Sequence, residues 1–163
     1  MKRICWAVVA GLLLGGCGEI TQFEKASGAR VALSEFYGRP LLISYYAPWC
    51  APCQSELPLL QEMVTRRGLQ VLLVSYDATS QEELGRQGAP LAPELPLLRA
   101  LPNARLPYPK PRALPTSYLL DASGQLKETI TGELSARKVD ELVTTMLTPL
   151  PRPEPWMIYS SKQ

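Results

Sequence analysis

Leu41-Leu42-Ile43-Ser44-Tyr45-Tyr46-Ala47-Pro48-Trp49-Cys50-Ala51-Pro52-Cys53 decides how the rest of the chain is read. Residues 41–46 are nearly all apolar, the pattern of a central strand covered on both faces. A helix-like run follows over 54–67, where Leu57, Leu60, Met63 and Val64 recur at helical spacing and lay one face on a sheet. Two cysteines therefore fall where a strand turns into a helix. A helix N-terminus offers unpaired N–H groups and about half a positive charge, which favours a thiolate there. Because the thiolate is the nucleophile, Cys50 is the candidate attacking thiol and is expected to be exposed. Cys53, one turn on and expected to be more buried, is close enough to resolve a mixed disulfide formed on Cys50. Pro52 fixes the turn, and its missing N–H costs nothing at a helix start. Trp49 is expected to shield the pair.

Other uses of a C-x-x-C pair fit less well. A structural zinc needs four Cys- or His-type ligands, but the chain has no histidine and four cysteines in all. A static bridge closing so short a loop restrains the unfolded chain little. The missing histidine also argues against serine and papain-like hydrolases. No cofactor and no metal are expected.

Working outward, residues 69–76 read as a second buried strand. Strand, helix, strand in this order is a βαβ unit with parallel pairing. Arg66 and Arg67 suit the end of the first helix, and Gly68 can terminate it. Thr79 or Ser80 can cap a short helix reaching about Gln87. The stretch 88–115 holds eight prolines, whose missing N–H groups disfavour regular structure, so a long loop is expected with at most a helical turn near 95–101. Residues 117–120 and 125–131 around Asp121-Ala122-Ser123-Gly124 read as a β-hairpin. A last helix starts at a Ser135 cap, with Val139, Leu142, Val143, Met146 and Leu147 on one stripe. Upstream, residues 30–36 read as a short strand leading to a turn at Tyr37-Gly38.

The N-terminus combines Met1-Lys2-Arg3, an apolar run over 4–16 and Cys17. The run is shorter than the roughly 20 residues of a membrane span and has the form of an export signal. Leu14-Gly15-Gly16-Cys17 resembles a bacterial lipobox, in which Cys17 is lipidated; an ordinary secretory signal is the alternative. If Cys17 is the first mature residue, 15 basic and 15 acidic residues remain, so no basic footprint for nucleic acid is left. Cys50 and Cys53 are then the only thiols, which fits a redox protein in an oxidising compartment. The expected organisation is a signal peptide over 1–16, a lipid-anchored tether over 17–28, one α/β domain over 29–148 and a Pro-rich tail over 149–163.

Trp49-Cys50-Ala51-Pro52-Cys53 resembles the active site of the thioredoxin-like oxidoreductases. The segment 29–40 is similar to the entry of their TlpA/ResA/CcmG subgroup. Pro58 matches the proline within the active-site helix, and Glu56 a glutamate common in the subgroup. Leu114-Pro115-Thr116 resembles the cis-proline loop. The resemblance covers about residues 29–147, less clearly over 79–112. It implies a thioredoxin-like α/β fold, a central mixed sheet flanked by helices. It also implies a redox-active Cys50–Cys53 disulfide, with Leu114 and Pro115 placing backbone groups against the disulfide and client. Two departures matter. Thioredoxins carry a buried acid where this chain has Ser44. Glu56 can replace it through a water, the alternative being a surface Glu favoured by the helix dipole. Ala47 and the lack of histidine exclude peroxiredoxin and Sco-type copper delivery.

The resemblance further implies an extracytoplasmic, membrane-anchored thiol-disulfide oxidoreductase on the periplasmic side of a bacterial envelope. Its expected partners are client proteins with disulfides or thiols, such as those of cytochrome c maturation or copper-protein assembly, and a membrane thiol-transfer electron donor. Ala51-Pro52 is more like the Gly-Pro of reducing members than the Pro-His of strong oxidants, so reduction is the favoured direction. A lipid-anchored module that holds Cu(I) by thiolates, or that binds a partner without turnover, is the alternative.

Overall fold

The computed structural model describes residues 21–78 and 80–147. The segment expected to be a signal peptide, Cys17, Thr79 and the Pro-rich tail lie outside them. Seven strands form one sheet in the order β2-β1-β5-β4-β3-β6-β7. They are β1 (Phe23–Lys25), β2 (Arg30–Val31), β3 (Leu41–Tyr46), β4 (Gln70–Ser75), β5 (Leu97–Ala100), β6 (Thr116–Leu120) and β7 (Leu126–Thr131). β4 runs parallel to β3 and β5, while the β1–β2, β1–β5, β3–β6 and β6–β7 pairs are antiparallel. The helices are α1 (Ala51–Thr65), α2 (Gln81–Gly88) and α3 (Ala136–Leu147).

The βαβ unit, the hairpin and the three helices follow the sequence pattern closely. Gly68 takes a φ of +63° just past α1, a conformation that costs glycine little. The Ser80 hydroxyl accepts the Glu83 N–H at 3.1 Å, and the Ser135 hydroxyl accepts that of Lys138 at 3.2 Å, each satisfying an otherwise orphaned donor. In the hairpin turn, one Asp121 carboxylate oxygen accepts the N–H groups of Ser123 and Gln125.

Three expectations are corrected. The tether over 17–28 does not hold for its second half: β1 lies inside the sheet between β2 and β5, and Phe23 is fully buried. The folded domain therefore begins before residue 29. The strand expected over 30–36 is only Arg30–Val31, followed by a 3-10 turn, Leu33–Phe36. There the Glu35 carboxylate reaches back to the Ala32 N–H at 2.6 Å, a local bond that favours the turn. The loop expected over 88–115 contains β5, because the proline-free Leu97–Ala100 keeps its donors for ladders with β4 on one side and β1 on the other.

Strand alternation sorts the core into two faces. Leu42, Tyr46, Leu73 and Leu119 point to one, where they meet Leu60 and Met63 of α1, Leu84 of α2, and Val139, Leu142 and Met146 of α3. Leu41, Ile43, Tyr45, Leu72, Val74 and Tyr118 point to the other. Among the described residues no α-helix packs into that second cluster. It is closed by Leu33 and Phe36 of the 3-10 turn and by Leu106 and Tyr108 of the Pro-rich segment. Tyr108 stacks on Tyr118 with centroids 4.2 Å apart, and Tyr45 meets both rings edge-on. The Tyr118 hydroxyl donates to the Pro109 carbonyl at 2.8 Å, pinning the Pro-rich segment to the sheet.

Candidate active site

The sheet brings three chain segments to one point. The cysteine loop leaves the C-terminal end of β3. Ser75, the last residue of β4, pairs with Tyr46, so residues 76–78 emerge beside that loop. β6 runs antiparallel to β3 with Thr116 opposite Tyr45, so Leu114 and Pro115, just before it, arrive at the same end. The Leu114–Pro115 peptide is cis. The Pro115 carbonyl is engaged by the Gly132 N–H at 2.9 Å, which fixes this loop to the end of β7.

Cys50 and Cys53 form a disulfide. Cys50 is the N-cap of α1, and its Sγ accepts the Cys53 N–H at 3.2 Å. The Cys50 carbonyl accepts the Gln54 N–H at 3.1 Å, and the Cys50 N–H donates to the Ala47 carbonyl at 3.1 Å. A negative charge on the Cys50 sulfur would therefore meet an N–H already aimed at it and the positive end of the helix. Pro52 sits in the first turn of α1, where no donor is missed. The Gln54 amide closes the loop by donating to the Pro48 carbonyl.

The expected contrast in exposure is smaller than anticipated. Cys50 is 5% exposed and Cys53 is 2% exposed, so in the disulfide form both residues are buried and only their order matches. Trp49 is not a buried cover, being 65% exposed. Its indole N–H donates to Asp77 at 2.7 Å, and its ring meets Tyr76 edge-on at 6.2 Å. Behind Asp77, a chain runs inward: the Gln87 amide donates to Asp77 at 3.0 Å, and the Ser75 hydroxyl donates to Gln87 at 2.7 Å. Ser75 and Gln87 are both buried. No sequence pattern marks this set, because its members come from α1's entry loop, the end of β4 and the segment after it, and α2.

Glu56 is 2% exposed, which overturns the surface alternative. It lies one turn beyond Cys53 on the stripe Cys53, Glu56, Leu60, Met63, the buried residues of α1. That stripe was the available sign of its burial. Its Oε1 accepts the Leu134 N–H. Burial raises the carboxyl from 4.5 to about 7, against the Leu134 hydrogen bond, and the Glu133 charge adds to the rise. Ser44, on the helix-covered face of β3, is also buried, and no carboxylate stands at that position.

An N-cap cysteine in a disulfide with the residue three on, a cis-proline loop beside it and a sheet with parallel β3–β4 define the arrangement. The chain has a thioredoxin-like fold. A thioredoxin family model matches residues 30–103. A thiol-disulfide oxidoreductase, ResA, of Oceanobacillus iheyensis is 23% identical over 133 residues, covering 72% of this chain and 62% of that relative. The thioredoxin-like protein YneN of Bacillus subtilis is 24% identical over 122 residues, with 72% of this chain and 71% of the relative covered. Among solved structures, the exposed lipoprotein thioredoxin Etrx1 of Streptococcus pneumoniae superposes with a TM-score of 0.66 at 22% identity, over 76% of this chain and 97% of that one. The thioredoxin-like domain thus has thiol-disulfide oxidoreductases among its relatives. Among the described residues no helix is long and apolar enough to cross a membrane.

Proposed function

We propose that this protein is an extracytoplasmic thiol-disulfide oxidoreductase that reduces disulfides of client proteins. The observation that carries the reading is the Cys50 sulfur at the N-cap of α1, bonded to Cys53, with a buried carboxyl of raised pKa one turn deeper.

In the reduced protein the Cys50 thiolate attacks a client disulfide. A mixed disulfide forms, and the first client sulfur leaves as a thiolate. Cys53, once deprotonated, attacks the Cys50 sulfur. The Cys50–Cys53 disulfide forms and the second client sulfur leaves. Two electrons pass to the client, and an external dithiol donor must return them. Glu56, poised near neutrality, is suited to take the Cys53 proton, by way of a water if the two groups do not touch. The relatives named as thiol-disulfide oxidoreductases support client proteins with disulfides or thiols; clients of the cytochrome c or copper-protein class and a membrane thiol-transfer donor are what the resemblance to the TlpA/ResA/CcmG subgroup implies. Cys17 would tether the domain to the membrane.

The test is client trapping. Cys53→Ala should accumulate mixed disulfides in vivo, Cys50→Ala almost none, and the reduced wild type should reduce insulin. Iodoacetamide should label Cys50 in preference to Cys53 near neutral pH. Predominant labelling of Cys53, or trapping by the Cys50→Ala variant, would reverse the assignment.

A further inference from the structure

A groove of about 610 Å³ opens beside the cysteine loop, between the segment after β4 and the Pro-rich segment after β5. Of its lining tyrosines Tyr76 is half-buried while Tyr45 and Tyr108 are buried, and Arg105 and Lys110 stand in it as exposed cations. The Lys110 ammonium lies 5.1 Å from the centre of the Tyr76 ring. The same ring receives the edge of Trp49, the residue before Cys50, at 6.2 Å. Groove and cysteine loop therefore share a wall.

The charges in this groove are unbalanced. Neither Arg105 nor Lys110 is in an ion pair among the described residues. The one acid among the described lining residues is Asp77, and both of its oxygens already accept hydrogen bonds, from Trp49 and from Gln87. The part-exposed Tyr76 ring and a net positive lining, two cations against the Asp77 carboxylate, complement an extended segment that carries a carboxylate.

We propose that this groove receives the client chain beside its reacting cysteine and favours clients with a carboxylate a few residues from that cysteine. The proposal rests on the oxidoreductase reading. The steps from Trp49 to Tyr76 and from Tyr76 to Lys110 put the ammonium at most about 11 Å from the Trp49 ring, with Cys50 one residue further, so at 3.3–3.6 Å per extended residue the carboxylate falls within about four or five positions of the cysteine. Docking in this way would lay the client along Trp49 and present its sulfur to Cys50.

The experiment uses the full chain, reduced, and three peptides activated on their single cysteine as mixed disulfides with 2-nitro-5-thiobenzoate. The peptides differ only at the fourth position from the cysteine, which is Glu, Gln or Lys. Release of the coloured thiol reports the rate. The wild type should prefer Glu over Gln and Gln over Lys, by roughly up to fivefold per step as exposed charge pairs allow, and added salt should flatten the order. In Arg105→Glu/Lys110→Glu the Glu-to-Lys rate ratio should invert. A ratio within one preparation does not depend on how much of the variant folds. Thiol release with no charge order, or an order the double variant keeps, overturns this proposal and leaves the oxidoreductase reading standing. No release from any peptide sinks both. Loss of the order on adding millimolar free glutamate would reassign the groove to small anions and overturn the proposal.

Discussion

Glu56→Gln separates a structural carboxyl from a proton-handling one, and the oxidised protein is the place to begin. There the two cysteines are bonded and do not titrate. The Glu56 carboxyl is moved from 4.5 to about 7 in the folded state, chiefly by burial. Because the folded value is raised, the unfolded chain gives up this proton first as pH increases. The associated stability is fully present below about pH 4.5 and is lost as pH rises through about 7. The shift corresponds to about 3 kcal/mol, with a slope that reaches at most about 1.4 kcal/mol per pH unit. Glutamine keeps a carbonyl oxygen for the Leu134 N–H and never ionises. Its amide NH2, in place of the second carboxylate oxygen, adds a cost that is equal at all pH values and cancels from the comparison. Urea unfolding of oxidised wild type and variant at about pH 4.5 and about pH 8 should show the variant gaining about 2–3 kcal/mol on the wild type at the higher pH. Parallel movement of the two proteins with pH would refute the claim that the fold holds Glu56 near neutrality. In the reduced protein the same substitution should slow release of the mixed disulfide more than its formation, measured by stopped-flow on an activated peptide.

The turn Ala51-Pro52 offers no histidine or acid to hold a thiolate further, so a glutathione equilibrium should place the potential nearer about −270 mV than about −120 mV; a value above roughly −160 mV would make the protein an oxidant. Tyr118→Phe removes the hydrogen bond to the Pro109 carbonyl. It should cost about 1 kcal/mol in urea unfolding and raise hydrogen exchange in 101–115, whereas unchanged exchange would mean that ring stacking alone holds the segment. Cys17→Ser should release the protein from the membrane fraction or stall its processing; a membrane-bound variant of mature size would rule out lipidation at Cys17.

Elements whose signal is local are legible in the amino-acid sequence alone. Residues 41–46 and 69–76 are apolar enough to be buried strands, the cysteines fall between strand and helix, and Ser80, Ser135 and Gly68 mark helix ends by their own hydrogen bonding or backbone freedom. The working pair Cys50 and Cys53 was readable from its spacing at a helix start and strengthened by the family resemblance, whereas the cis Leu114–Pro115 loop was readable only through that resemblance, since no periodicity marks it. Tertiary structure decided what depends on distant partners. β1 and β5 are too short to announce themselves and become strands through partners on both sides, β2 and β5 for β1 and β1 and β4 for β5, with the β1–β5 ladder reaching across more than seventy residues. Glu56 carries the composition of a surface residue; it is buried because the stripe it shares with Cys53, Leu60 and Met63 must face the sheet, and the Leu134 N–H waits there to receive it. Trp49 looked like a cover from its position in the motif. It turns outward because Asp77, at the end of a neighbouring strand, offers its indole an acceptor that the cysteine loop does not.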